Sequence, residues 1–332
     1  MSAAQTILQN AARSAALRTF LTLLTLLTFL TAPPANAQAP ATNDGLKTVL
    51  APDAKLEKVS SGFAWTEGPV YERKSNSVLF SDQPSSTLNR FDCASGKTTL
   101  FRGAKVVPNG NTFDAQGRLV GCEHTPRRVA RTEAGGEIVT LAYLYNNKRL
   151  NSPNDVVIKS DGAVYFTDPP YGLPNLKVGK ELDVNGVFRV APSGDVTLLT
   201  ADLSMPNGLA FSPDEKTLYI DDSERKNLRA FAVNPDGTLG PDKVLATLDT
   251  PGKNGVPDGM KVDTRGTIYC TGAGGIWVIA PGGTVLGVIE TPETAANCAF
   301  GDRDGKTLYI TASSSLYRIR LRTAGRIPGV AK

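Results

Sequence analysis

Residues 206–223 of this chain read PNGLAFSPDEKTLYIDDS, and this stretch holds the pattern that decides the fold. Two short apolar segments, at residues 209–211 and 218–220, flank a Pro-Asp pair that is typical of a turn. Short β-branched or aromatic runs joined in this way are typical of a β-hairpin. The stretch therefore predicts two antiparallel strands, the first of which is opened by the polar residue Asn207.

The same pattern occurs six times along the chain. The polar residues that open the six copies are separated by 42, 45, 53, 51 and 39 residues, and they are Glu67, Asn109, Asn154, Asn207, Asp258 and Asn297. A repeat of roughly 40 to 50 residues is typical of propeller blades, and further strand candidates follow the hairpins. No stretch after residue 37 has a helical period. The sequence thus predicts an all-β fold, a single six-bladed β-propeller over residues 45–325, closed by pairing of a strand near residues 47–50 with the last blade.

The six opening residues share one chemical property, because each carries a carboxylate or amide oxygen. The first strand of a blade lines the central channel, so these oxygens are predicted to converge at one end of the axis. Oxygen ligands of this kind suit a hard divalent cation. Asn-Gly and Asp-Gly are also common turn formers in propellers that bind nothing. Glu67 is a poor turn residue, which favours the interpretation as a metal site.

A second set of polar residues follows the second strand of several repeats and is predicted to lie at the same face. It contains Asp82, His124, Asp168 and either Asp222 or Ser223. His124 is the only histidine, and it can be either a general base or a structural residue. Asp168 and Asp222 can either support the site or cap the ends of strands.

Several motifs of the chain resemble those of the senescence-marker-protein/gluconolactonase family, which is also called the regucalcin-like family. They are EGPV at 67–70, SPNDV at 152–156, FTDPPYG at 166–172, PNGLAFS at 206–212, PDGM at 257–260 and NCAFG at 297–301. The resemblance runs in order from about Trp65 to Tyr309. The stretch CEHTPRR at 122–128 is similar to the bacterial gluconolactonase branch.

The resemblance implies a six-bladed propeller that hydrolyses lactones with one divalent cation, with Ca²⁺ as the first choice and Zn²⁺, Mn²⁺ or Mg²⁺ as alternatives. Carried over by motif, the ligands are Glu67, Asn154, Asn207 and Asp258. Asn154, Asn109, Tyr171 and Arg149 are the expected substrate-binding residues. Sugar-lactonase members often have an arginine where this chain has Ser152, and Arg149 lies nearby at another offset.

The predicted function is therefore hydrolysis of a gluconolactone-like sugar lactone to the aldonic acid, with Asp258 as the favoured general base and His124 as the alternative. Two other functions stay open. The first is another metal-dependent hydrolase on the same propeller, acting on an aryl ester, a different lactone or a phosphotriester. The second is a non-catalytic propeller that binds calcium, because a fold does not fix a function.

The first 44 residues predict export. Arg13 and Arg18 precede an apolar run at 20–30, and Ala35-Asn36-Ala37 resembles a cleavage site. Residues 1–37 are thus expected to be a signal peptide, and residues 38–44 a flexible mature N-terminus. The alternative, a membrane-anchoring helix, needs about 20 apolar residues. We expect a periplasmic or secreted protein without stable membrane insertion after cleavage.

Composition excludes one class of partner and leaves the cysteines open. The 332 residues carry a formal net charge of +4 with both signs mixed along the mature chain, so no nucleic-acid-binding surface is predicted. An oxidising destination makes the four cysteines possible disulfide partners. One bridge and buried free thiols are both compatible with the sequence; the residues concerned are Cys93, Cys122, Cys270 and Cys298.

Overall fold

Each repeat folds as a four-stranded antiparallel sheet, because its short apolar runs alternate with turns that carry glycine, aspartate or asparagine. The computed structural model describes residues 44–103 and 106–329, and within them the six sheets are the blades of a β-propeller. The helices of these described residues are two 3-10 helices, Gly45–Thr48 and Pro174–Leu176. The all-β, six-bladed prediction is confirmed. The predicted signal peptide and nearly all of the predicted flexible segment lie outside the described residues.

The strands are numbered in chain order, and the first of them, β1 (Glu57–Ser61), precedes the first blade. Blade 1 consists of β2 (Thr66–Glu72), β3 (Ser77–Asp82), β4 (Thr87–Asp92) and β5 (Thr98–Gly103). Blade 2 consists of β6 (Pro108–Phe113), β7 (Leu119–Glu123), β8 (Arg128–Thr132) and β9 (Ile138–Ala142). A small hairpin, β10 (Leu144–Tyr145) and β11 (Lys148–Arg149), separates blade 2 from blade 3.

Blade 3 consists of β12 (Val156–Ile158), β13 (Val164–Asp168), β14 (Gly186–Val190) and β15 (Val196–Thr200). Blade 4 consists of β16 (Pro206–Phe211), β17 (Thr217–Asp222), β18 (Asn227–Val233) and β19 (Leu239–Thr247). Blade 5 consists of β20 (Met260–Val262), β21 (Ile268–Gly272), β22 (Gly275–Ile279) and β23 (Val285–Glu290). Blade 6 contains β24 (Ala295–Gly301), β25 (Thr307–Ala312) and β26 (Ser315–Arg320). The first strands of neighbouring blades contact one another, so they form the innermost ring.

The ring closes through β1, which pairs antiparallel with β26 and supplies the fourth strand of blade 6. The prediction that an N-terminal strand closes the last blade is confirmed, but its predicted position near residues 47–50 is wrong. Leu46 and Val49 are three residues apart and both are buried in the core beside a 3-10 helix. Leu50 makes only an isolated bridge with Leu321. The apolar residues near positions 47–50 therefore belong to a short helical segment that packs against the last blades, and not to a strand.

The core lies between the blades, where the second strand of one blade packs on the first strand of the next. Tyr165 of β13 meets Phe211 of β16 edge to face, with ring centroids 5.0 Å apart. Tyr269 of β21 meets Phe300 of β24 in the same way, at 5.4 Å. Such an aromatic pair stabilises by about 1 kcal/mol beyond the burial of its area. The tyrosine that recurs in the repeat is thus a contact between blades.

Residues 321–329 continue past β26 over the end of the propeller opposite the residues that open the repeats. Gly325 lies flat on the Phe300 ring, where an added Cβ would be 1.8 Å from Cγ. Arg326 Nη2 donates to Glu215 Oε1 at 2.5 Å, in the turn between β16 and β17. The C-terminal segment thus ties blade 6 to blade 4 across the far face.

Two further features bear on the expectations from sequence. All four cysteines are free, and three of them are buried. Among the residues that the structure describes, no helix has the length and apolarity needed to cross a membrane.

One half-buried carboxylate holds the ring together where it closes. Glu293, in the loop before β24, accepts hydrogen bonds from Lys58 Nζ of β1 (2.8 Å), Tyr317 Oη (2.6 Å) and Ser315 Oγ (2.7 Å) of β26. Burial alone would raise its pKa, but these hydrogen bonds prevail and hold the pKa of Glu293 well below its ordinary value. The ionised form of Glu293 is therefore the one that the folded protein favours.

We expect Glu293→Gln to lower the free energy of unfolding by about 1 kcal/mol near neutral pH, because charged hydrogen bonds are lost at a partly solvated site. A carboxyl with a depressed folded-state pKa stabilises above its unfolded pKa and loses this effect as the pH falls toward the folded value. The difference between the variant and the wild type should therefore shrink below the ordinary pKa of 4.5. Urea denaturation at several pH values measures it.

Glu290→Gln is the matched control, because the Glu290 side chain is 70% exposed in its ion pair with Lys253. An exposed pair of this kind contributes little, so its removal should hardly change the midpoint. Equal effects of the two substitutions would contradict the assignment of Glu293 as the fastening residue.

Candidate metal centre at the propeller axis

The residues that open the repeats lie at one end of the central channel, because each stands at the start of an innermost strand. In four blades the strand has an irregular register at this point, a β-bulge that turns a side chain away from the regular ladder. The shifts fall between Glu67 and Val70, Pro108 and Asn111, Pro206 and Leu209, and Ala295 and Asn297. In blades 3 and 5 the strand begins two residues after the opening residue. The side chains of the opening residues can therefore point toward the axis, because the regular strand is interrupted or has not yet begun at these positions.

A glycine follows four of the six opening residues, and it allows neighbouring blades to approach closely. An added Cβ on Gly68 would lie 2.0 Å from the backbone oxygen of Asn109, the opening residue of the next blade. On Gly208 it would lie 2.1 Å from the backbone oxygen of Asp258. No side chain fits at either position without a shift of backbone. The recurrent glycine is thus required by contact between blades as well as by the local turn.

Glu67 and Asp258 are the two carboxylates of the axial set, and they interact directly with each other. Burial raises the pKa of Glu67, against opposing hydrogen bonds from Gly68 N and Trp65 Nε1. Burial and the Glu67 charge raise the pKa of Asp258 well above its ordinary value. Two carboxylates in this position repel each other unless a proton or a cation lies between them.

Asn207 is held so that its amide oxygen faces the site. Its Nδ2 donates to Ser223 Oγ at 3.0 Å, and Ser223 Oγ donates to the Pro257 backbone oxygen at 2.6 Å. Asn207 Oδ1 is buried and has no hydrogen-bond partner. A buried acceptor without a partner is costly, so an electropositive ligand at this oxygen would relieve the penalty.

Asn109 is oriented in a similar way by His124. The two side chains are 3.1 Å apart, between Asn109 Nδ2 and His124 Nε2. An amide NH₂ group can only donate, so His124 Nε2 must be the acceptor and the proton must be on Nδ1. Burial lowers the pKa of His124 to about 4, so the ring is neutral at physiological pH. The structure thus brings His124 to the site but uses its Nε2 lone pair on Asn109.

The remaining axial amides differ from each other. Asn154 is buried at the start of blade 3, and its backbone N–H donates to the Thr167 backbone oxygen at 2.8 Å. Asn297 Oδ1 accepts a hydrogen bond from the backbone N–H of Cys298 at 2.8 Å, and its side chain also blocks the space above Gly259. The oxygen of Asn297 is therefore used within its own blade.

Tyr171 and Arg149, both predicted to bind substrate, occupy different surroundings. The Tyr171 hydroxyl interacts with Ser223 and Asn207, although Tyr171 belongs to the loop after β13. Burial is the main cause that raises its pKa, so the hydroxyl keeps its proton. Arg149 Nη2 instead donates to the Pro126 backbone oxygen at 2.9 Å. The structure therefore brings Tyr171 to the axial residues and ties Arg149 to the loop after β7.

Aspartates at the ends of second strands act as caps for the preceding loops. Asp82 accepts from the backbone N–H groups of Ala64 and Trp65, at 3.1 and 3.0 Å to Oδ1. Asp168 accepts from those of Asn151 and Ser152, and Asp222 accepts from those of Ser204 and Met205. Of the two interpretations that the sequence left open, the structure favours strand-end capping.

Two buried carboxylates near the axis were not singled out from the sequence. Asp155 takes the position that glycine holds in four other blades; its Oδ2 lacks a hydrogen bond, with Lys261 Nζ 4.0 Å away. Asp221 is fully buried, and burial raises its pKa well above the ordinary value. The signal in the sequence was a break in the repeat, since most other blades have serine or threonine at the Asp221 position.

The donor set fits a hard divalent cation. Glu67, Asp258 and the unpartnered Asn207 Oδ1 offer oxygen atoms at one end of the channel, and the Glu67 charge raises the pKa of Asp258. Within residues 44–103 and 106–329, no group of three or more histidine, cysteine, aspartate and glutamate side chains could hold a metal ion. A cation at this end of the channel would therefore need amide oxygens as ligands besides the two carboxylates.

The chain matches the family model described as the SMP-30/Gluconolactonase/LRE-like region over residues 65–314. It is 34% identical over 303 residues to the gluconolactonase of Zymomonas mobilis, and this alignment covers 84% of this chain and 85% of that protein. The solved structure of a gluconolactonase from Xanthomonas campestris superposes with a TM-score of 0.76 and 35% identity, and the match covers 87% of this chain and 99% of that one.

A more distant likeness concerns the fold alone. The solved structure of the calcium-binding protein regucalcin from Agrobacterium tumefaciens superposes with a TM-score of 0.70 at 19% identity, covering 83% of this chain and 96% of that one. The family match, by contrast, spans all six opening residues, from Glu67 to Asn297. This chain therefore belongs to the SMP-30/gluconolactonase/LRE-like family.

Proposed function

We propose that this protein is a metal-dependent lactonase that hydrolyses a gluconolactone-like sugar lactone to the aldonic acid. Membership of a family whose similar members are named gluconolactonases supports a lactone hydrolase. The observation that carries the metal dependence is the interacting pair of carboxylates, the buried Glu67 and the half-buried Asp258, beside the unpartnered oxygen of Asn207. Such a set of oxygens is stable when it binds a cation.

The proposed ligands are Glu67, Asn207 and Asp258, with Asn154 as the fourth candidate. Ca²⁺ is the first choice because amide oxygens accompany only two carboxylates, and Zn²⁺, Mn²⁺ and Mg²⁺ are the alternatives. When bound, the cation would polarise the lactone carbonyl and stabilise negative charge on its oxygen. The side chains of the site then have to place the lactone, activate water and transfer a proton.

Asp258 is the proposed general base. A carboxylate has two oxygens, so one can serve as a ligand while the other accepts a proton from the attacking water. The water oxygen bonds to the carbonyl carbon, and the ester bond between this carbon and the ring oxygen then breaks. The proton that Asp258 accepted passes to the ring oxygen, which becomes the hydroxyl of the open aldonic acid.

Asn154, Asn109 and Tyr171 are proposed to bind the substrate, and Arg149 stays a candidate at the margin of the site. We propose that His124 positions Asn109 and does not act as a base. Its Nε2 lone pair is engaged by Asn109, and burial lowers its pKa to about 4, below the optimum for a base near neutral pH.

The first test is release of acid from glucono-1,5-lactone by the mature protein after chelation, and again after addition of each of the four cations. We expect turnover to return with one or more of them. Glu67→Gln and Asp258→Asn should lower kcat/KM by about a hundredfold or more, because charge stabilisation at the reacting oxygen is lost. Calorimetry should show weaker cation binding to Glu67→Gln.

Asp236→Asn is the matched control, because Asp236 lies in the β18–β19 turn and caps Thr238. Turnover on aryl esters or phosphotriesters without any on lactones would overturn the substrate class. Cation binding without turnover on any of these substrates would instead indicate a calcium-binding propeller.

The role of His124 is tested with His124→Ala. If His124 only positions Asn109, the substitution should raise KM by about tenfold with a smaller change in kcat, and the pH profile of kcat should keep its shape. Asn109→Ala together with His124→Ala should cost little more than either alone. A fall of about 10² to 10⁴ in kcat would point to a general base.

We also propose that the protein is exported to the periplasm or secreted, from the apolar run at 20–30 and the Ala35-Asn36-Ala37 sequence. Mass spectrometry of the protein from the exported fraction should give an N-terminus at Gln38. Ala37→Arg should retain the precursor. An intact N-terminus in an exported, membrane-free protein would contradict the cleavage site.

A further inference from the structure

The loop after β13 contains Pro169, Pro170, Tyr171 and Gly172, and it is unusually well fixed for a surface turn. Both prolines are buried and have restricted backbone angles. Leu173 N donates to the Pro170 backbone oxygen at 2.9 Å, and the Leu173 side chain is buried. These features limit the positions that Tyr171 can take.

Ser152 holds this turn from the other side. It is fully buried, its Oγ donates to the Pro169 backbone oxygen at 2.6 Å and accepts from Gly172 N at 2.9 Å. One hydroxyl therefore satisfies a carbonyl and an amide group on either side of Tyr171. The Ser152 backbone N–H is in turn fixed by Asp168 Oδ1 at 2.8 Å.

Gly172 allows the turn to lie directly on His124. An added Cβ at Gly172 would be 2.7 Å from His124 Cβ and 2.8 Å from Ser152 Cβ, distances that real Cβ atoms do not show. Any side chain at this position would lift the turn away. Ser152 thus holds the turn by hydrogen bonds, and Gly172 allows it to pack closely on His124.

The result is that Tyr171 of blade 3 reaches across to blade 4. Its hydroxyl interacts with Asn207 and Ser223, while 36% of the residue remains exposed. Ser223 Oγ gives its own hydrogen to the Pro257 backbone oxygen, and Asn207 Nδ2 has a second hydrogen beyond the one that it gives to Ser223. Ser223 Oγ can therefore only accept the phenolic hydrogen of Tyr171. Tyr171 Oη remains an acceptor, which Asn207 Nδ2 and a hydroxyl group of a ligand can approach.

We propose that the turn of residues 169–172 makes Tyr171 the specificity-determining residue of the site, which accepts a hydrogen bond from a hydroxyl group of the lactone. Ser152 and Gly172 are positioning residues for it. The inference rests on the proposed lactonase function and adds the residue by which the site selects hydroxyl substituents on the lactone ring. A site built to hydrogen-bond a substrate hydroxyl discriminates against the analogue that lacks it.

The test compares glucono-1,5-lactone with δ-valerolactone, which has the same ring but no hydroxyl groups. Tyr171→Phe should lower kcat/KM for glucono-1,5-lactone by about tenfold and change kcat/KM for δ-valerolactone by less than about twofold. Ser152→Ala and Gly172→Ala should act in the same direction. Ser193→Ala is the control, because Ser193 lies in an exposed turn of blade 3 and its hydroxyl donates to Asp195.

Amide hydrogen exchange gives a readout that does not depend on turnover. Ser152→Ala should speed exchange of the amides of residues 171–173 and leave the other blades unchanged, because the Gly172 N–H loses its acceptor. Unchanged exchange in this turn would overturn the positioning role of Ser152. Equal losses on both lactones in Tyr171→Phe, or no loss on either, would overturn the role of Tyr171.

If the wild-type protein hydrolyses neither lactone, the proposed function has failed and the inference is judged by binding. Calorimetry of the Ca²⁺-loaded protein then compares gluconate with pentanoate. Tyr171→Phe should weaken gluconate binding by about tenfold and leave pentanoate unaffected. Equal binding of the two acids by the wild type would overturn the selection of hydroxyl groups.

Discussion

The contact between neighbouring blades at the axis is the constraint on which the structure depends. Gly68 and Gly208 touch the backbone of the next blade where no Cβ fits, and Ser81 Oγ donates to the Asn109 backbone oxygen at 2.8 Å. Thr167 Oγ1 makes the corresponding contact with the Asn207 backbone oxygen at 2.6 Å. Because these contacts draw the innermost strands together, the oxygens that open the strands are brought into one small volume.

A second set of contacts, within single blades, holds the polar groups of the site in fixed orientations. Asn207 and Asn109 are each oriented by the residue that follows the second strand of the same blade, Ser223 and His124 respectively. Each partner takes the amide nitrogen, so that the amide oxygen is left for the site. This repeated arrangement makes the axis rich in acceptors and poor in donors, which is the electrostatic character of a cation site.

Most of the fold and the set of axial residues could be predicted from the sequence, because both follow from the repeat. The position of the closing strand could not be predicted in the same way: β1 is short, mostly exposed and pairs with a strand some 260 residues away. The contacts of Ser152 and Tyr171 could not be predicted either, since they depend on where a loop of blade 3 lies relative to blade 4. Asp155 was missed although it breaks the repeat at a glycine position, because the repeat does not show that its carboxylate is buried near the axis.

The closing of blade 6 by β1 places both ends of the propeller chain in one sheet, with Glu57 opposite Arg318. During synthesis the first strand must wait for the last one, so the ring can form only after nearly the whole chain has been made, and such long-range pairing is slow. Because the two ends of the propeller chain lie side by side, a different blade could come first in the sequence without a change in how the blades pack. A circular permutant that joins the two ends and opens an exposed outer turn keeps every contact between blades.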